Sequence, residues 1–476
     1  MKTPAKPKIV AKAAPKKIVA RAKETPDSMM ARALRLHNDG KLGDAINLYQ
    51  RVLAQEPDHP HAWGNIGVLL RRQGKYEAAV ACLKRAARIS PKDGAVWSNL
   101  GNALRAINRL DEAIAAQRRA LDLTPEMARI HYNYGLCLRD AGNLDEATHA
   151  MRRARLLGYE EPELAWDQSL TLLMGGDLET GFAEYEARWH LPGVDRQYQS
   201  VPEWDGSPLD GRRLVVWAEQ GMGDTLQFCR YLCDTMDGLT TLNGPVTLDV
   251  QPPLARLLQN APQFKDVTVV PRRTPLEDVD LQVPLLSLPR LCYTGMDTIP
   301  DHCPYITAPA RSAGARPLNR DRFNVGIVWK GKPSHKNDRN RSVSLETFAA
   351  LFDLPGTDFI SLQKGPAVEE IQSDGMQSLV ADHGSAFRDF ADTAATLQSL
   401  DLVISVDTSV AHLAGAMARP VWVLIPYAPD WRWMHHRDDS PWYPSMTLYR
   451  QTAPGDWRET FMRMRKALIR KLQARR

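Results

Sequence analysis

The stretch DTSVAHLAGAMARPVWVLI, residues 407–425, directly follows the apolar run Leu402, Val403, Ile404, Ser405, Val406 and decides how the C-terminal half folds. That run has the length and β-branched character of a buried parallel strand. Thr408 and Ser409 suit a helix N-cap, His412 falls in the first turn, and a second strand, Val421 to Ile425, follows Arg419 and Pro420. Strand, polar turn, helix, strand is half of a nucleotide-binding unit, whose ligands sit at the carboxyl ends of the strands. The free N–H groups of the first helical turn, with the positive end of the helix dipole, make a site for phosphate. Taken alone, Asp407 and Thr408 need only cap a helix, so their reading depends on the rest of the chain.

Upstream, Leu214 to Ala218 is a short strand, followed by Glu219, Gln220, Gly221, Met222, Gly223, Asp224 and a helix expected from Thr225 to about Met236. Strands at Val246–Val250 and Val267–Val270, a helix at Pro253–Asn260 and the segment Leu281–Leu288 complete one α/β lobe. A proline-rich stretch, Pro300 to Pro317, separates it from a second lobe with strands at Val325–Trp329, Phe359–Gln363, Leu402–Val406 and Val421–Ile425. Two such lobes facing across a cleft make the GT-B architecture.

Gly221 and Gly223 let backbone approach a ligand closely, and Asp224 sits at the first strand-to-helix turn as a candidate base. The loop from Lys330 to Ser342, with Arg339 and Arg341, is the most basic in the body of the protein and reads as an anion site. Gln363 and Lys364 follow the next strand and are placed to meet a base or ribose. Asp278-Val279-Asp280 has the form of a metal-binding pair but precedes its strand, so it reads as structural. Of Trp431 and Trp433, at least one is expected in the core.

The N-terminal half repeats itself. Gly40, Gly74, Asn108, Gly142 and Gly176 stand 34 residues apart, as do Trp63, Trp97 and His131, and Pro57, Pro91 and Pro125. A 34-residue period with these landmarks is the tetratricopeptide signature, an all-α solenoid of stacked helical hairpins with a concave groove. Asn65, Asn99 and Asn133 keep the same step; either asparagine is simply common at this repeat position, or the three amides are offered to the backbone of a peptide or protein acceptor. This is similar to the asparagine ladder of O-linked N-acetylglucosamine transferases. The fifth unit departs from the pattern with Gly181-Phe182, Tyr185 and Trp189, as a terminal repeat packed on something else would.

With 476 residues the chain has room for about three domains. The boundaries read as a disordered basic tail over 1–27, repeats over 28–190, a junction over 191–213, and the two lobes over 214–318 and 319–476. The formal charge of +5 is concentrated in residues 1–24, which carry eight Lys or Arg against Glu24. Taking that +7 away leaves the remainder near −2, so nucleic acid is not an expected partner. No run of about 18 apolar residues occurs and no signal-peptide core begins the chain, which predicts a cytoplasmic protein without a transmembrane segment. Six cysteines without a CxxC pair or clustered histidines predict neither a disulfide framework nor a zinc site.

QGMGDTLQF, residues 220–228, and the stretch from Asp407 resemble the heptosyltransferase family, glycosyltransferase family nine, over roughly residues 205–470. With the repeats in front, the whole chain resembles bacterial tetratricopeptide proteins carrying such a domain, some of which are thought to glycosylate proteins. The resemblance implies an inverting glycosyltransferase that needs no metal or other cofactor and uses a nucleoside diphosphate sugar. Asp224 would be the acceptor-activating base, Asp407, Thr408, Ser409 and His412 would line the donor diphosphate, and Lys330 would fall among the phosphate-binding residues. The chain departs from the family after its last motif strand, where Ile425, Pro426, Tyr427, Ala428, Pro429, Asp430, Trp431, Arg432 and Trp433 replace a Gly-Pro. Two other readings remain: a repeat scaffold without turnover, and a transferase acting on a lipid glycan or exopolysaccharide.

Overall fold

The computed structural model describes residues 24–233, 243–300, 302–309, 316–335 and 337–475. The basic head over residues 1–23 and the far end of the helix expected to reach Met236 lie outside the described residues. The chain divides into two compact units, one running through Ala103 and one starting at Leu104.

Helical hairpins fill the N-terminal region. In the first unit Pro26–Asn38 pairs with Leu42–Gln55, and Pro60–Arg72 with Tyr76–Ile89. The first helix opens inside the stretch assigned to the tail, because Thr25 caps it by accepting from the Ser28 N–H and proline occupies its first turn. The helix Gly94–Ala106 contains the boundary between units, and in the second unit Ala128–Asp140 pairs with Leu144–Leu156, then Pro162–Gly175 with Leu178–Glu184.

The 34-residue landmarks have local physical causes. Gly40, Gly74, Asn108, Gly142 and Gly176 all have positive φ, from +57° to +89°, and close the turn inside each hairpin; asparagine stands in for glycine once because it tolerates the left-handed region. The indole N–H groups of Trp63 and Trp97 donate to the carbonyls of Pro57 and Pro91 at 2.8 and 3.0 Å. His131 Nε2 makes the same bond to Pro125 at 2.7 Å. Each closing proline thus exposes a carbonyl that a ring N–H six residues later satisfies.

The rest of the second unit holds two parallel sheets. In the first lobe, β1 (Leu214–Trp217), β2 (Val246–Val250), β3 (Val267–Pro271) and β4 (Leu281–Pro284) lie in the order β3-β2-β1-β4. In the second, β5 (Phe323–Val328), β6 (Thr357–Ser361), β7 (Val380–Asp382), β8 (Leu402–Val406), β9 (Val421–Ile425) and β10 (Met446–Arg450) lie in the order β10-β9-β8-β5-β6-β7. The chain reverses direction twice, between β1 and β4 and between β5 and β8. Such switch points leave a crevice at the carboxyl edge of a sheet. One apolar core runs from Leu173, Phe182 and Tyr185 of the last hairpin through the first lobe to one face of the second sheet. The other face is covered by the C-terminal helix Arg458–Arg475 through Phe461, Met464 and Leu468.

Candidate functional site at the facing strand-to-helix turns

The turn after β1 and the turn after β8 both leave a switch point, and they meet. The helix Met222–Phe228 packs against the helix Ser409–Ala416. A Cβ on Gly223 would fall 2.9 Å from His412 Cδ2 and 3.6 Å from Ser409 Cα, so only glycine fits where the turns touch. Gly221, Gly223, Asp224, Thr408, Ser409 and His412, read from two separate motifs, therefore share one place in the fold.

Asp224 is held from two sides. Its Oδ2 accepts from the Gly221 N–H at 2.7 Å, closing the helix N-terminus, and its Oδ1 accepts from Arg432 Nη2. Arg432 also donates to Gln227 Oε1 at 2.6 Å and Asp430 Oδ1 at 2.9 Å, and its guanidinium lies 4.4 Å from the Trp431 ring centroid. Burial opposes the Arg432 charge, but Asp430 and Asp224 more than offset that and hold it above the ordinary arginine value. Trp431 and Trp433 are both buried, so neither is open to a ligand ring.

Asp407 differs. Its main-chain carbonyl accepts from Arg341 Nη1 at 2.9 Å, while its side chain is only 16% exposed. Burial and the negative Asp430 push its carboxyl up to about 6, against Arg341, the Trp433 indole and Arg432, which favour the charged form. Thr408 shares a hydrogen bond with Ser405 Oγ at 2.9 Å and makes no side-chain cap to the helix. His412 Nδ1 lies 2.9 Å from the Tyr443 hydroxyl, and its Nε2 is 4.0 Å from Asp407 Oδ1. Its ring stacks on Trp433 with centroids 5.3 Å apart. Burial, with Arg432, Arg230 and Arg341, holds His412 well below the usual histidine range.

The basic loop after β5 contributes through Arg341, which joins Asp338 at 3.3 Å and reaches the Asp407 turn. Its other expected members point elsewhere. Lys330 is ion-paired with Glu370, whose Oε2 also accepts from the Trp329 indole at 3.1 Å. Arg339 and Asn340 border a cleft of about 370 Å³ with Asn108, Ser342 and Trp457. Gln363 is buried, and its amide braces the chain, accepting from the Trp329 and Lys330 N–H groups and donating to the Lys330 and Lys364 carbonyls. Lys364 donates to the carbonyls of Gly384 and Phe387. A side chain following a parallel strand thus serves the backbone here as readily as a ligand. Asp278 and Asp280 both pair with Arg213, at 3.1 and 3.0 Å, in keeping with a structural role.

Nor do the three asparagines present alike. The Asn65 amide donates to the Tyr49 hydroxyl at 3.2 Å, Asn99 is half-buried, and Asn133 is 8% exposed. In the second unit the same repeat phase ends at Asp167, which accepts from Tyr132 at 2.5 Å and Arg139 at 2.6 Å. Arg139 and Arg105 both pair with Asp140, extending a chain of alternating charge. Arg432, Asp430, Arg230 and Tyr443 carry no sequence signal for this site, since only the folded chain brings them to Asp224 and His412.

The tetratricopeptide repeat family matches residues 30–94 and 98–155. The N-terminal region carries tetratricopeptide repeats. Among curated proteins the chain is similar to protein FlbA of Caulobacter vibrioides, 27% identical over 318 residues, covering 62% of this chain and 52% of that protein. It therefore spans about half the length of that relative. Solved structures similar to it include TTC0263, a tetratricopeptide protein of Thermus thermophilus, at 22% identity and a TM-score of 0.32 over 36% of this chain and 93% of that one. PilF of Pseudomonas aeruginosa is 19% identical, with a TM-score of 0.32 over 36% and 78%. No helix among the described residues is long and apolar enough to cross a membrane.

Proposed function

We propose that the C-terminal region is a GT-B glycosyltransferase that moves a sugar from a nucleoside diphosphate donor to a protein recruited by the repeats. The observation that carries this reading is the meeting of two switch-point turns, one bearing a fixed carboxylate and the other opening a helix N-terminus. As the acceptor oxygen bonds to the anomeric carbon, the bond from that carbon to the diphosphate breaks and its electron pair leaves with the phosphate. Asp224 takes the acceptor proton. The Gly221 N–H and Arg432 each use one acceptor direction on its two oxygens, leaving others for substrate. Arg341 and the N–H groups at Thr408 and Ser409 stabilise the departing charge. A single base opposite the leaving group gives inversion, and no metal takes part in these steps.

A scaffold without turnover is the competing reading. It is favoured by the engagement of both Asp224 oxygens within the protein and by the internal pairing of Lys330, Gln363 and Lys364. Asp224→Asn separates the two. Transfer should fall at least ~100-fold while nucleotide affinity stays nearly constant, since general-base assistance contributes about 10²–10⁴ in rate. An unaltered rate would move the base elsewhere.

A further inference from the structure

Behind His412 lies a buried polar chain that the proposed chemistry does not use. Arg230 is 2% exposed, and among the described residues no carboxylate forms an ion pair with it. Its guanidinium donates to the carbonyls of Gln227, Pro300 and Trp442 at 2.9, 2.6 and 2.8 Å and to the Tyr305 hydroxyl at 3.0 Å. Tyr305 in turn donates to the Leu226 carbonyl at 2.8 Å. The same guanidinium stands 4.8 Å from the Tyr443 ring centroid. A cation against a phenol ring draws electron density from it and makes its hydroxyl a better donor. Tyr443 is fully buried, and its ring packs so closely on the helix of His412 that a Cβ on Gly415 would fall 2.5 Å from Tyr443 Cδ1.

We propose that Tyr443, polarised by Arg230, donates to His412 Nδ1 and so fixes His412 as the neutral tautomer protonated at Nε2. Two independent placements agree. Nδ1 faces the hydroxyl at 2.9 Å, and Nε2 faces the Asp407 carboxylate at 4.0 Å, which attracts a proton to that nitrogen. Which ring nitrogen of a histidine carries the proton is set by the partner of the other. Nε2 also lies on the side where the two turns meet, 3.5 Å from where a Gly223 Cβ would stand. An anion at the rim of this contact would therefore face a neutral imidazole rather than an imidazolium. Tyr443 is in this sense a positioning residue, and the identity of the anion as a diphosphate rests on the proposed function.

The test is ¹⁵N spectroscopy of the full chain with labelled histidines, the His412 signal being identified by its loss in His412→Gln. In the wild type Nε2 should be protonated and Nδ1 a hydrogen-bonded acceptor at about pH 7–8, where Asp407 is a carboxylate. Tyr443→Phe keeps the ring and should remove the Nδ1 hydrogen-bond signature while Asp407 leaves Nε2 protonated. A wild-type Nδ1–H form, or a Tyr443→Phe spectrum like the wild type, overturns the assignment, and the wild-type spectrum decides even if the variant misfolds. Inorganic pyrophosphate should shift the Nε2 signal. Binding without that shift overturns the ligand contact, whereas no binding with the tautomer intact counts against the diphosphate reading and upholds the tautomer.

Discussion

Asp407 and Asp224 are both carboxylates on a turn between a parallel strand and a helix, and their surroundings set them to different tasks. Asp224 is tied to a guanidinium and a main-chain N–H, so it is fixed in orientation. Asp407 is half-buried near Asp430, with a carboxyl pushed up to about 6. Between the unfolded value near 3.8 and about 6, the folded chain binds the extra proton, so stability from this group is present in acid and lost as pH rises through about 6. Asp407→Asn should remove that slope, and urea unfolding should show its stability relative to wild type improving from pH 4 to pH 7. The positions of both carboxylates were legible because a polar residue directly after an apolar run marks the carboxyl end of a strand. Their partners were not, since Arg432 and Asp430 reach the turns from a segment some 200 residues beyond Asp224, and no sequence period links the two.

At the scale of elements, the 34-residue step and the strand runs were legible because each repeats a local physical demand, a left-handed turn residue or a buried apolar run. The strands β7 and β10 were missed. They are the edges of the second sheet, and Val380–Asp382 is too short to show a pattern. The helix after Asp224 also stops early, passing into a tight 3₁₀ turn at Cys229–Leu232 where Arg230 turns into the core. Packing of the helix Met222–Phe228 on the helix Ser409–Ala416 makes a specific demand on Gly223. Gly223→Ala should cost about 1–3 kcal/mol by overpacking against His412 and weaken nucleotide binding, measured by thermal unfolding and calorimetry. A neutral result in both would mean that the turns do not hold this contact in solution.

For the molecule as a whole, the repeats and the α/β lobes were separable by period, but the joining of the last hairpin to the lobes rests on aromatic packing. Phe182 is 2% exposed and meets Phe228, Trp431 and Trp442 edge to face, with centroids 5.6–6.3 Å apart. Trp431 in turn carries Arg432 above its ring. The irregular fifth repeat signalled such a partner without naming it. Phe182→Ala should lower stability by about 3–5 kcal/mol, read from the denaturant midpoint of the second unit's transition, because an apolar cavity would open beside the site. The central claim is that the facing turns bind a sugar nucleotide, and calorimetric titration of the wild-type chain with a panel of nucleoside diphosphates tests it most directly. At least one base should bind with micromolar to millimolar affinity and lose that affinity when Gly223 is replaced by alanine. Heats indistinguishable from dilution for every nucleotide would contradict it.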